Sequence, residues 1–330
     1  YLINHPEYIH HVLVDNGRNY SKDTYSNQAF KKAVGSSLLN FEGEAWLRRR
    51  RLMQPAFHHA RLEQLDGMII DAVDEVLAHW QAFYEAGQTI DVAHEMAALT
   101  MSITARALFG VDLGDEVHTL GELINGVAEL LEKPHHPQMQ QASMQVSAVV
   151  DRILQERRRD FHDRGDLLSV LMTAQSEDDG AELGDLQLRH EVMGLLIAGY
   201  ETTANALTWT FYLLSQNQWA AERLRNEVRQ VIGGRKLTAA DLPHLPYLRL
   251  VLDESLRLYP PAWIIGRRAI ADDEIGGYYV PAGTVIAICI YTLHRHPAYW
   301  EAPDVFDPER FTPERSTGRN KHVYMPFSIG

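Results

Sequence analysis

Ala198-Gly199-Tyr200-Glu201-Thr202-Thr203 lies inside a long apolar run, Leu186 to Leu214, that carries few charges. A run this long and this apolar predicts a helix that passes through a core rather than lying on one. Three residues within it are unusual for such a place. A carboxylate at Glu201 is costly to bury unless it is paired or functional. Gly199 weakens a helix but lets a flat ligand approach the backbone closely. Thr202 can bond a carbonyl one turn back, loosening the helix and opening a groove. Glycine, acid and alcohol together make a place where a small molecule could sit and receive protons. On periodicity alone, a kinked core helix whose Glu201 reaches the surface accounts for the same pattern.

Outward from this run, apolar residues recur at helical spacing over Leu65–Tyr84 and predict a helix with one buried stripe. Similar patterns predict helices over Val92–Phe109, Val117–Leu131, Val146–Phe161, Trp219–Ile232 and Tyr247–Leu258. Arg157-Arg158-Arg159 suits a helix C-terminus, and Gly233-Gly234 and Pro260-Pro261 end the last two helices. Ser176–Gly180 reads as an acidic surface loop. Late in the chain, Glu274–Val280 and Thr284–Tyr291 read as two strands joined by a tight turn, and the Pro-, Asp- and Arg-rich remainder as loop. With no internal repeat or low-complexity linker, the expectation is one mainly α domain with a small β part.

Composition sets limits on partners. The 330 residues are 45% hydrophobic, enough for a sizeable core. Lys and Arg total 31 against 44 Asp and Glu, a net charge of −13 that argues against nucleic acid as a partner. The exception is the basic run Arg48–Arg51. A single cysteine, Cys289, excludes an internal disulfide and makes a reducing, cytoplasmic setting the expectation. It lies in the apolar stretch Val285–Ile290, where a buried structural thiol is expected rather than a metal ligand. No signal peptide opens the chain, and no segment reaches the ~18 apolar residues needed to span a bilayer. A start at Tyr1 without Met reads as a fragment end. The pairs His58-His59 and His135-His136, with His294 and His296, lack ligand spacing for zinc and read as solvated loop histidines.

Three further patterns are weak singly. Trp46-Leu47-Arg48-Arg49-Arg50-Arg51 sets Trp46 and Arg50 four apart, so an indole N–H and a guanidinium can converge on one carboxylate. A basic helix face is the plainer reading. Glu254-Ser255-Leu256-Arg257 pairs Glu and Arg three apart on one helix face, as solvated helices also do. Pro308-Glu309-Arg310-Phe311 says nothing by itself. Their order says more. Followed by Pro326-Phe327-Ser328-Ile329-Gly330, the series resembles the cytochrome P-450 superfamily, and the resemblance runs the length of the chain. It includes Leu258–Pro261, Leu293–Pro297 and the Gly277–Thr284 hairpin.

That resemblance implies a partial P-450 fold over residues 1–330 and a haem, iron protoporphyrin IX, beside the central helix. Ala198 and Gly199 would face the oxygen-binding side of the haem. Glu201 and Thr202 would be the acid-alcohol pair that delivers protons for O–O cleavage, with Thr203 a secondary candidate. Trp46, Arg50 and Arg267 would hold the haem propionates, Arg268 and His322 being second choices. Glu254, Arg257 and Arg310 would form a buried structural network supporting the loop of the iron-ligating cysteine. Phe327 would open that loop, Phe-x-x-Gly-x-Arg-x-Cys-x-Gly, so that the axial cysteine lies beyond Gly330 and no metal ligand falls within the chain. The N-terminal sheet region, the last helix and the terminal strands of the family would also lie outside it. Leu131–Met139 is shorter than the connection the family has between its lid helices.

The implied activity inserts one oxygen atom of O2 into a lipophilic substrate: RH, O2, two electrons and two protons give ROH and water. No flavin or nicotinamide fingerprint is present, so electrons would come from a separate ferredoxin or flavin reductase. Arg48–Arg51 is a candidate docking face for it, and a solvated helix face is an equal reading. Ser21–Leu39, the lid helices, the central helix and Pro261–Ile265 would line the pocket. There Trp263, Ile264 and Ile265 favour a fatty acid, alkane or terpenoid. A haem-thiolate peroxygenase, dehydratase or isomerase ranks lower because Glu201-Thr202 is intact. A non-catalytic remnant or binding protein is the reading the missing cysteine supports.

Overall fold

The computed structural model describes residues 1–58, 61, 63–114, 116–130, 137–173 and 184–329. Ser176–Gly180, most of Leu131–Met139, His59, the His135-His136 pair and Gly330 therefore lie outside the described residues. Along the chain run β1 (Leu2–Ile3), α1 (Pro6–His10), β2 (Tyr20–Ser21), α2 (Tyr25–Val34), α3 (Gly43–Met53), α4 (Asp66–Glu85) and α5 (Val92–Phe109). There follow α6 (Glu116–Leu130), α7 (Pro137–Arg159), α8 (Leu167–Thr173), α9 (Asp185–Gln216), α10 (Gln218–Ile232) and α11 (Pro246–Leu258). The strands β3 (Ile264–Ala269), β4 (Asp273–Ile275), β5 (Tyr278–Val280) and β6 (Val285–Cys289) come last, and only single helical turns follow. The fold is mainly α with a small β part, and no helix among the described residues is long and apolar enough to cross a membrane. The chain divides into two compact units, Tyr25–Ala204 and a second made of Tyr1–Thr24 with everything from Asn205 on.

The Tyr25–Ala204 unit is helical around one core, with Met101, Phe109, Ile124, Val150, Leu168 and Val192 all completely buried. Helix α5 has the predicted bounds because both ends are chemically marked. The Asp91 carboxylate accepts from the N–H groups of Ala93 (2.9 Å) and His94 (3.3 Å), and Gly110, at φ +60°, closes the other end. Helix α7 begins at Pro137, well before the predicted Val146. Its first turns are polar and carry no apolar stripe, while Pro at the first position and straight-chain residues favour helix there. At its other end Arg157 is 2% exposed and donates to Asp166 (2.6 Å) and Ser169 (2.7 Å), so it is a buried tie as well as a dipole partner.

Gly199 has a packing task that its sequence context does not show. A Cβ there would lie 2.8 Å from Thr104 Cγ2, so the missing side chain lets α9 approach α5 closely. Gly199→Ala is accordingly expected to cost about 1–3 kcal/mol through overpacking. Adding Thr104→Ala should recover most of that loss in urea unfolding. Equal losses with and without the second change would show that the contact is not the cause.

The second unit carries a four-stranded sheet in the order β1-β6-β3-β2. β6 runs antiparallel to β3 (Ile265 opposite Ile288) and parallel to β1 (Leu2 opposite Ala287). The predicted two-strand hairpin is not what forms. Glu274–Val280 is itself folded into the β4–β5 hairpin, because Gly276 and Gly277 take φ +58° and +84° and turn the chain inside what reads as one strand. β6 pairs elsewhere, with Ile3, Ile286, Ile288 and Ile290 packed beneath the sheet.

Candidate functional site

In the middle of α9 the hydroxyls of Thr202 and Thr203 turn back onto their own helix. Thr202 Oγ1 donates to the Ala198 carbonyl (2.8 Å) and Thr203 Oγ1 to the Gly199 carbonyl (3.1 Å). Both threonines are exposed, whereas Tyr200, 1% exposed, points the other way and donates to the Gly121 carbonyl at 3.3 Å. Glu201 is half-buried, and no cation pairs with it among the described residues. Burial alone raises its carboxyl pKa above the ordinary range, because the charged form loses solvation without a compensating charge. The segment thus offers an acid that keeps its proton to higher pH than usual, beside two reachable hydroxyls. Such a set can hold a proton and pass it on.

On α3 the four arginines do not behave alike. The Arg50 guanidinium lies 5.4 Å from the Trp46 ring centroid, is exposed, and has no carboxylate partner among the described residues. Arg49, 18% exposed, instead pairs with the buried Glu191 at 3.3 Å. A uniformly solvated basic face is therefore not what forms. Trp46 and Arg50 together leave an indole N–H and a planar fork of donors for an incoming carboxylate.

In the second unit the structure brings Glu254, Arg257 and Arg310 together, at 0%, 0% and 4% exposure. Arg257 grips Glu254 through Nε (2.6 Å) and Nη2 (2.8 Å), and Arg310 Nε stands 3.3 Å from the same carboxylate. The Asp307 N–H donates to it as well (2.9 Å). The remaining guanidinium N–H groups go to carbonyls. Arg257 bonds those of His294 (2.8 Å), Pro303 (2.7 Å) and Val305, and Arg310 those of Glu301 and Ala302. Ala302 is held at φ +40°, a strained value for a residue with a side chain.

His294, expected in solvent, is completely buried. Its Nδ1 faces the Arg257 carbonyl (3.2 Å) and its Nε2 accepts from the Met325 N–H (2.9 Å). Two backbone partners with opposite needs suit a neutral ring, and burial pushes its pKa down to about 3 from 6.5. Unfolding frees the ring to bind a proton between those values, so this group removes stability as pH falls from 6.5 toward 3. His294→Gln should flatten the acid limb of a stability–pH curve by about 1.4 kcal/mol per pH unit at most. Parallel curves for the two proteins would contradict it. The signal in sequence was the run Leu293–Pro297, whose alternating His and Arg resembles exposed loop.

The other predicted positions lie in the second unit. Arg267, half-buried on β3, donates to the Gly266 carbonyl (2.9 Å), and Arg268 donates to the carbonyls of Asp23 and Gly283. His322 stacks on His10 with ring centroids 4.5 Å apart. Phe327 is 86% exposed, and the next residue, Ser328, takes φ +64°. Cys289 is a free, buried thiol at the end of β6. Among the described residues no three His, Cys, Asp or Glu side chains could hold a metal ion.

Comparison with known proteins shows what the chain is similar to. Cyclooctatin synthase of Streptomyces melanosporofaciens is 36% identical, matched over 100% of this chain and 74% of its own length. Cyclooctat-9-en-7-ol 5-monooxygenase of the same organism is 35% identical with the same coverage. Among solved structures, the haem domain of cytochrome P450DA superposes with a TM-score of 0.87 at 26% identity, over 100% of this chain and 75% of that one. The family model described as Cytochrome P450 matches residues 1–330, and with relatives above 30% identity along its whole length the chain belongs to the cytochrome P450 family.

Proposed function

We propose that this protein hydroxylates a lipophilic alicyclic substrate, a terpenoid, with electrons drawn from a separate ferredoxin or flavin reductase. The family makes it an oxidoreductase that incorporates molecular oxygen, and its members bind haem. The residues present fit that group. Arg50, stacked on Trp46 and without a carboxylate of its own among the described residues, suits a propionate, and we assign Arg267 to the same role. Ala198 and Gly199 present their carbonyls beside the threonine hydroxyls, and Phe327 offers an exposed aromatic ring. When bound, the haem supplies the oxidising chemistry that O2 and two electrons make possible.

The chain's own residues govern protons. Glu201 holds one because burial disfavours its charge, and the Thr202 hydroxyl, within reach of solvent, relays it. That half-buried acid, unpaired among the described residues and next to a back-bonded alcohol, is the observation carrying the oxygenase reading. A peroxygenase, dehydratase or isomerase needs no such delivery, and a non-catalytic remnant would gain nothing from an acid whose burial is unfavourable. Glu254, Arg257 and Arg310 we assign to holding the segment that leads into Phe327. We take residues 1–330 to be one partial P450 domain, and the lone buried thiol to suit a reducing cytoplasm.

Two points support the substrate class. Trp263 (55% exposed) and Ile264 (37% exposed) give the stretch after Pro261 an apolar surface. The similar relatives are named for cyclooctatin and for 5-oxygenation of cyclooctat-9-en-7-ol. The protein expressed from its full open reading frame should show a thiolate-type reduced-CO band and form one alcohol per NADPH with a ferredoxin system. Turnover with hydrogen peroxide alone, equal to that with NADPH and ferredoxin, would favour the peroxygenase instead. Silence of the haem spectrum toward every cyclic terpenoid tried would remove the substrate class.

A further inference from the structure

Glu191 is a fully buried carboxylate, 0% exposed, that no step above uses. It stands on α9 two turns before Ala198 and gathers donors from two other segments. Its Oε2 accepts the Leu38 N–H at 2.8 Å, while Oε1 faces Gln187 Nε2 (3.0 Å) and Arg49 Nε (3.3 Å). Gln187 Nε2 donates to the Ser36 carbonyl as well, at 2.8 Å. Burial raises the carboxyl pKa and lowers that of Arg49, which shows how much solvation the pair gives up to stand here.

The same face of α9 receives the loop sterically. Gly35 takes φ +89°, and a Cβ on it would lie 2.1 Å from the His190 ring. Across from it, a Cβ on Gly194 would lie 2.6 Å from Ser37 Oγ. Positions 187, 190, 191 and 194 share one helix face. The loop is also braced internally, since Asn40 donates to the Gly35 carbonyl (2.8 Å) and accepts from the Ser37 N–H (3.0 Å). Arg49 meanwhile lies 5.6 Å from the Phe41 ring centroid, so loop and α3 share one cation.

We propose that Glu191 is a positioning residue: its carboxylate latches the Gly35–Phe41 loop onto α9 and, through Arg49, sets the rotation of α3 that presents Trp46 and Arg50. The consequence for cofactor retention rests on the haem reading above; the latch itself does not. A free carboxylate in this place would be destabilising, and its three donors together account for its presence. Because one group serves two segments, closing the loop and orienting α3 are a single event.

The test uses the haem-loaded full-length protein, with hydrogen exchange of the Ser36–Phe41 amides and haem transfer to apomyoglobin as its two readouts. Glu191→Ala should speed exchange of the Leu38 amide by about tenfold while the α5 amides keep their wild-type rates. Glu191→Gln keeps an oxygen for Leu38 but sets an amide N–H2 against Gln187 and Arg49. It should therefore leave loop exchange near wild type and speed haem transfer several-fold, as Arg49→Ala should. If Glu191→Ala does not fold, Gly194→Ala, which displaces Ser37 without touching a charge, is read by the same loop exchange. In Glu191→Ala, or in Gly194→Ala where that protein does not fold, loop exchange within twofold of wild type, or acceleration spread equally to α5, overturns the latch. Unchanged haem transfer in Arg49→Ala overturns the coupling to α3. A wild-type protein that binds no haem defeats the haem reading, and loop exchange still decides the latch.

Discussion

Glu254→Ala is expected to destabilise the protein by about 3–5 kcal/mol and to abolish most haem loading. The residue is completely buried, and its carboxylate is the one anion paired with Arg257 and Arg310 among the described residues. Removing it leaves a guanidinium at 0% exposure without its counter-charge, and the Asp307 N–H without its acceptor. Arg257→Ala should cost as much for the mirror reason. Arg310→Lys should cost less, since Arg310 spends most of its donors on the carbonyls of Glu301, Ala302 and Val305. Its loss would release the strained Ala302 turn, which partly offsets it. Urea unfolding of the three variants checks the order. A loss below about 1 kcal/mol for Glu254→Ala would mean that water enters and screens the site as it does at a surface pair. The network reaches the Phe327 segment through His294, whose carbonyl takes an Arg257 N–H while its ring takes the Met325 N–H. Haem loading should thus fall in step with stability rather than independently of it.

The network also shows where reading a sequence stops. A Glu and an Arg three apart look the same on a wet helix face as in a core, and only the carbonyls of residues 294–305 decide which it is. Those partners lie 37 to 48 positions away in the chain. The helices were legible because their signals are local: an Asp91 cap, a Gly110 stop, an apolar stripe repeating with each turn. The sheet was not. β6 pairs with Leu2 and Ile3 from the far end of the chain, and no local pattern carries that register. At the site, the acid and alcohol of α9 stood out as polar residues in an apolar run. Gly199 stood out too, yet its contact with Thr104 is one that only packing reveals. Arg49 was hidden among four arginines, since nothing in Arg48–Arg51 says which of them meets Glu191. Family order of weak motifs supplied what periodicity could not, because it summarises long-range partners that a single local pattern omits.

Glu201→Gln is expected to slow product formation by about 10²–10⁴-fold, the range for losing a positioned proton donor, and yet to make the protein more stable. The two signs follow from one cause. Burial holds the Glu201 carboxyl above its ordinary range, with no cation among the described residues to offset it. A group whose folded pKa exceeds its unfolded value contributes stability below the unfolded value and loses it as pH rises through the folded one. At neutral pH the wild-type acid is therefore a burden on the fold, and a neutral amide of the same shape lifts it. The same raised value keeps the acid protonated to higher pH, so the wild-type rate should fall as pH climbs through it and the variant's rate should not. Thr202→Ala should act on the same route. It removes only a hydroxyl bonded to the Ala198 carbonyl on an exposed helix position, where alanine is the better helix former. Oxygen consumption should continue while the yield of alcohol per NADPH drops about tenfold and hydrogen peroxide takes its place, and Thr202→Ser should restore coupling. A residue present only for packing gives the opposite pattern, with activity and melting temperature falling together. If Glu201→Gln lowers both, the proton role assigned to this bend of α9 is wrong, and the acid is there to hold the helix rather than to serve the reaction.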